Sequence, residues 1–231
     1  MKTMKSWMFA AILLCGTSMS AQAQEYYQTK DEVAVTIGGG TNSQLFDAFS
    51  RLFGVMGEAL VTGIMTGGHY VGTTTYDNEK YIPALSVEYF HHVSTMVSIG
   101  GIAAFTGYSS DMYCNWQTSD YVSTKEKIGS AKKYNITVMP AMKFDWLRKK
   151  NFGIYSKIGL GATYMYEKEV QENDPSGKDI DDKVVHSKGK WMANFQASLL
   201  GIEAGSEKIR GFAELGAGEQ GIILAGLRYK F

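Results

Sequence analysis

The 231-residue chain predicts an all-β fold: an eight-stranded antiparallel transmembrane up-and-down β-barrel with an amphipathic helix in its first external loop. Three observations lead there. Period-two alternation of apolar and polar residues recurs in eight segments, and the connections between them alternate short and long. No stretch beyond residue 23 offers 18 apolar residues, so a spanning structure has to be a closed barrel, whose strands satisfy one another's backbone groups, and not a helix. Composition agrees, because 26 Gly, 3 Pro and 13% aromatic residues suit closely packed strands with aromatic girdles. With 23 acidic and 23 basic residues the chain has no charge bias that would attract nucleic acid.

The first 23 residues read as a secretory signal peptide. Lys2 and Lys5 form a positive start, residues 7 to 14 an apolar run, and Ala21-Gln22-Ala23 a cleavage site whose small residues are Ala21 and Ala23. The apolar run is too short to cross roughly 30 Å of hydrocarbon as a helix. Residues 24–231 then form one barrel domain. Cys114 is the only cysteine left after cleavage, which excludes an intramolecular disulfide.

Strands are predicted over 31–40, 82–92, 96–108, 134–148, 152–166, 191–204, 209–217 and 222–231. The clearest is the fourth, where Tyr134, Ile136, Val138, Pro140, Met142, Phe144 and Trp146 alternate with smaller or polar residues. In the fifth, Ser156 alone interrupts an apolar outer face. Charge falls on the inner face of most strands, as expected when a Lys or Arg facing mid-bilayer lipid costs roughly 2–4 kcal/mol. A soluble β-sandwich also alternates, but its outer face is polar. Connections 93–95, 149–151 and 205–208 are short, and 41–81, 109–133 and 167–190 are long, which puts the short turns and both mature termini in the periplasm and the long loops outside. The aromatics sort into two girdles: Tyr134, Tyr164, Tyr166 and Trp191 outside, and Tyr89, Phe144, Trp146, Phe152, Tyr229 and Phe231 inside.

Within the first long connection, Leu45, Phe46, Phe49, Leu52, Phe53, Met56 and Leu60 recur at helical spacing behind a capping box of Thr41 and Gln44. The helix over 41–65 either folds across the barrel mouth as a lid, or presents its apolar face to a partner or to the membrane interface. Asp47, Arg51 and Glu58 exclude a spanning helix.

An eight-stranded barrel has room for little but its own side chains, so the lumen is expected to be plugged. Counted from the short turns, Glu88, Lys143, Lys157 and Glu214 fall at similar heights on inner faces. That lumen charge cluster is either a set of mutually compensating ion pairs or a narrow ion path. His91 and His92 with Ser94 are the nearest approach to a nucleophile and base, with no carboxylate placed to orient the base; no catalytic residue is assigned. The acidic stretch with Glu167, Glu169, Glu172, Asp174, Asp179, Asp181 and Asp182 lacks calcium-loop spacing and is interleaved with Lys168, Lys178 and Lys183, so no metal site and no cofactor is assigned.

The chain ends on Gly226, Leu227, Arg228, Tyr229, Lys230 and Phe231. Gly226 followed by aromatics at alternate positions, the second of them terminal, resembles the C-terminal insertion signal of bacterial outer-membrane β-barrels. With the eight segments, this makes the chain similar to the small eight-stranded outer-membrane barrels, the OmpA-like and OmpX-like β-barrel domain family. The resemblance implies insertion by the barrel-assembly machinery and residence among outer-membrane lipid of a Gram-negative bacterium. The role expected of the chain is non-enzymatic, in surface interaction or envelope integrity exerted through external loops, with the external partner unknown. It also leaves open a barrel enzyme acting on lipid or peptide, and a narrow small-solute channel.

Overall fold

A computed structural model describes residues 29–118, 123–173 and 179–231. Ala21 and Ala23, with the rest of the expected leader, lie outside the described residues. Eight strands, β1 (Asp31–Gly39), β2 (Tyr70–His92), β3 (Val97–Thr118), β4 (Ser123–Arg148), β5 (Phe152–Asn173), β6 (Asp179–Gly205), β7 (Ile209–Gly218) and β8 (Ile223–Lys230), form one closed antiparallel barrel in sequence order. The ring closes by β1 against β8, from Glu32↔Lys230 to Gly39↔Ile223, and the terminal Phe231 exchanges both backbone bonds with Asp31.

Alternation fixes what each face sees. Val33, Val35, Ile37, Val87, Ile136, Val138, Leu160, Leu199, Leu215, Ile223 and Leu227 are exposed on the outside, while the residues between them are buried. A soluble barrel would reverse this, so the exterior is built for an apolar solvent. Ser156, the one polar residue on its outer face, accepts from Trp146 Nε1 (2.8 Å) and donates to the Leu199 carbonyl (2.7 Å), so its hydroxyl presents no unpaired group to that solvent. A bulge between Asp145 and Leu147 shifts the end of β4 out of phase and turns Arg148 inward.

The long connections differ from expectation. Most of 109–133 and 167–190 is strand, and β2 begins at Tyr70, so β2 to β6 continue well beyond the ends of β1, β7 and β8 and form a tall one-sided wall. The lipid-facing alternation fades there because the outer face turns polar, while the inner face mixes polar residues with a small buried cluster of Met112, Cys114, Ile128 and Ala131. Cross-strand charge takes its place: Lys125 bonds Asp77, and Lys127 bonds Asp111 at 2.7 Å. Tyr81, Tyr134, Tyr166 and Trp191 mark the boundary where the apolar exterior gives way to this charged wall.

Helix α1 (Asn42–Met65) follows β1, and Thr41 caps it as the sequence pattern requires: its hydroxyl accepts from the Gln44 backbone (3.2 Å), and Gln44 Oε1 accepts from the Thr41 backbone (3.1 Å). Its orientation corrects the simple expectation that an amphipathic helix buries its apolar face. Ser43 and Asp47 are buried, whereas Leu45, Phe49, Leu52, Phe53, Met56, Leu60 and Ile64 are exposed. The barrel mouth is polar, so the polar face is the one that finds partners there.

Candidate functional site

The lumen holds the largest collection of buried charge. Five acids (Glu32, Glu88, Asp145, Glu203, Glu214) and six bases (Lys143, Arg148, Lys157, Arg210, Arg228, Lys230) face inward and are buried. Glu88, Lys143, Lys157 and Glu214 all point into the lumen, but not as one closed quartet. Lys157 bridges Glu88 (2.5 Å) and Glu214 (2.9 Å), whereas Lys143 bonds Glu32 (2.6 Å) and Asp145 (3.2 Å). The two lysines are direct cross-strand partners in the β4–β5 register, so two like charges sit side by side and each is held by its own pair of acids.

Arg228 joins the two groups. It bonds Glu203 at 2.6 Å, lies 3.5 Å from Glu32 and 3.6 Å from Glu88, and donates to the Tyr155 hydroxyl at 3.2 Å. Its guanidinium sits 4.6 Å from the centre of the Tyr155 ring and 4.5 Å from that of Phe212, so a planar cation is held between two aromatic faces. Glu203 also takes Arg210 (2.5 Å) and Lys230. The rings need room, and two glycines supply it. A Cβ at Gly201 would meet the Tyr155 ring at 2.5 Å, and one at Gly226 would meet Phe212 at 2.7 Å and the Val35 carbonyl at 2.3 Å. Gly226 of the terminal motif thus seats a lumen aromatic, while Tyr229 and Phe231 stack on the outside with ring centres 5.8 Å apart.

At the turn end of the lumen the histidines are not without carboxylates, contrary to the sequence-based expectation. His91 Nδ1 lies 2.8 Å from Asp31. His92 lies 2.6 Å from Ser98 Oγ through Nδ1, 3.4 Å from Glu32 through Nε2 and 3.6 Å from Asp145. Ser98, which pattern reading passed over in favour of Ser94, is the hydroxyl that meets a histidine; Ser94 instead accepts backbone bonds within its turn. Alternation already put Ser98 inward beside β2, so inner-face pairing was the signal that would have found it. The constellation has the composition of a nucleophile, base and orienting acid, but Ser98 is 0% exposed and the His92 side chain 4%, so no substrate reaches it as it stands.

Above the lumen, α1 closes against the barrel through polar contacts. Ser43 donates its backbone N–H (3.1 Å) and hydroxyl (2.7 Å) to Glu219 in the β7–β8 turn, and Asn194 Nδ2 donates to the same carboxylate at 2.9 Å. Asp47 pairs with Lys133 at 2.5 Å. Between the polar face of α1 and the inner face of the wall lies a cavity of about 330 Å³, lined by Asp47, Arg51, Tyr76, Lys133, Glu167 and Lys188 among others. Burial pushes the Tyr76 phenol up to about 12, so it enters this vestibule as a neutral donor facing Glu169. Burial likewise pushes the Cys114 thiol up, which makes it a packing residue beside Met112, Ile128 and Ala131 and a poor nucleophile.

No family model and no curated protein matches this chain. Among solved structures it is similar to Ail, the attachment invasion locus protein of Yersinia pestis. In the complex of Ail with the heparin analogue sucrose octasulfate the identity is 14% over 87% of this chain and 99% of that one, with a TM-score of 0.40. A second structure of Ail gives the same identity and coverage with a TM-score of 0.35. The closed barrel is established by its own strand register. Among the described residues no group of three or more His, Cys, Asp or Glu is placed to hold a metal ion.

Proposed function

We propose that this protein is an integral outer-membrane barrel with a closed lumen that works without catalysis, through the tall external wall and α1, in surface interaction or envelope integrity. The observation that carries this reading is the division of the barrel surface: an apolar exterior bounded by aromatics, an interior whose charges pair with one another, and a polar wall raised above the boundary on five strands only. Paired interior charge argues against solute passage, because an ion entering the lumen would have to break contacts made at 2.5–2.9 Å. Outer-membrane lipid is the solvent the exterior fits, and the C-terminal residues fit recognition by the barrel-assembly machinery.

Refolding into phosphatidylcholine vesicles tests the reading. Heat-modifiable migration with no ion conductance above that of empty vesicles is expected; steady conductance would replace it with a channel. The contact of Ser98 with His92 favours one other reading, a hydrolytic barrel. A fluorophosphonate probe that labelled the folded protein, with labelling lost in Ser98→Ala, would establish it.

A further inference from the structure

Helix α1 takes a place in the wall. The pairing of β1 with β2 stops at Gly38↔Ala84, which leaves the upper edge of β2 without a strand neighbour. The helix fills that edge with side chains: Thr62 Oγ accepts from the Gly72 N–H (3.0 Å), its own proton lying between the Glu58 carbonyl (2.8 Å) and the Gly72 carbonyl (3.2 Å), and the Glu58 carboxylate accepts from the Thr74 N–H (2.6 Å). Every charged residue of α1 turns to the barrel. Asp47 binds Lys133, Arg51 binds Glu79 at 3.1 Å, and Glu58 binds the β2 edge. The opposite face carries none; contrary to the sequence-based expectation, α1 is long and apolar enough by composition to cross a membrane, but its three charges are all bonded to the barrel.

Arg51 also fixes the height of the helix. It bonds the Tyr108 hydroxyl, and the Tyr108 ring packs 4.9 Å from that of Tyr81, part of the aromatic boundary. Residues before Arg51 therefore lie at or below that boundary, directly above the short β1 and β8. Continuity runs through Gly40, where an added Cβ would touch Ile222 at 3.2 Å, and Ile222 and Ile223 belong to the exposed apolar exterior. Leu45 and Phe49 are 49% and 63% exposed on this stretch. Elsewhere the outer face of the wall above the boundary carries Lys125, Lys127 and Lys132.

We propose that the N-terminal half of α1 completes the lipid-facing wall above β1 and β8, with Leu45 and Phe49 against outer-leaflet acyl chains. The inference rests on the membrane reading above, so its test carries controls for that reading. In a Cys15→Ala/Cys114→Ala background, Leu45→Cys, Phe49→Cys, Leu160→Cys and Lys132→Cys are spin-labelled and refolded into phosphatidylcholine–phosphatidylglycerol vesicles, and accessibility to oxygen and to a soluble nickel chelate is compared. The oxygen-to-nickel ratio at positions 45 and 49 is expected to match that at 160 and to exceed that at 132 several-fold. Nickel access at 45 and 49 with oxygen preference at 160 would overturn the inference and leave the membrane barrel standing. Protection of 45 and 49 from both reagents would assign the face to a protein surface, a second copy included, and would also overturn it. Nickel access at 160 would remove the membrane reading and the inference together.

Discussion

At the residue scale, the lumen shows why isolated charges are absent from the interior of a barrel this narrow. Removing water from an ammonium and a carboxylate costs several kcal/mol per ion, and only close pairing with further hydrogen bonds offsets it. Lys143 has such partners in Glu32 and Asp145, with the Tyr155 ring 4.7 Å away, and its side chain is 0% exposed. Lys143→Met leaves Asp145 without its ammonium and is expected to destabilise the folded barrel by about 3–5 kcal/mol, seen as a lower urea midpoint in vesicles. Lys143→Met with Asp145→Asn should recover part of the loss. An unchanged midpoint in the single variant would mean that Lys143 contributes nothing to the network. Inward placement of Glu88, Lys143, Lys157 and Glu214 was legible from alternation alone, since a residue's face follows from its parity along a strand. Who pairs with whom was not, because stagger between strands is set by the register of the whole ring.

At the element scale, the free edges of the raised wall are protected in two ways. The upper edge of β2 is covered by α1, while β6 above Gln196, paired with β5 on one side, has no strand partner on its β7 side among the described residues and carries Lys183, Lys188 and Lys190, side chains that discourage edge-to-edge pairing. Thr62→Val removes both bonds to Gly72 while keeping the side-chain volume. It should loosen the C-terminal half of α1, with faster amide exchange at Gly72 and little change in global stability. Equal exchange rates in wild type and variant would show that Thr62 does not guard the edge. The last strand depends on its end in a different way. Phe231 stacks on Tyr229 and exchanges two backbone bonds with Asp31, so its loss weakens the seam where the ring closes. Phe231→Ala is expected to lower the yield of heat-modifiable protein in cells far more than its small contact area suggests, and a normal yield would remove the assembly role given to that residue. The helix itself was legible down to its capping box, because capping is local. Its inverted orientation was not, because that depends on the polarity of a mouth assembled from β4, β6 and the β7–β8 turn.

At the scale of the whole molecule, the barrel is asymmetric: five strands rise above the aromatic boundary and three stop near it. Sequence patterns give the part of a strand between lipid and lumen, where the outer face must be apolar, and lose it above the boundary, where the outer face is wet and polar, which is why the upper halves of β2 to β6 read as loops. The asymmetry makes orientation testable. If the raised wall stands outside the cell, the upper ends of β3 and β4, at Thr118 and Ser123, stand on the cell surface, and the turn at Val93 faces the periplasm. A short epitope inserted after residue 120 should bind antibody on intact cells, and the same epitope inserted after Ser94 should bind only once the outer membrane is permeabilised. The Ser94 insertion disturbs a tight turn in which the Ser94 and Val93 backbone N–H groups both donate to the Val97 carbonyl, so a heat-modifiability check must accompany it. With folding intact, the reverse labelling pattern would turn the barrel over, place the wall in the periplasm and end the surface role proposed for it. Labelling at both sites in intact cells would mean that the chain does not reside in a closed outer membrane at all.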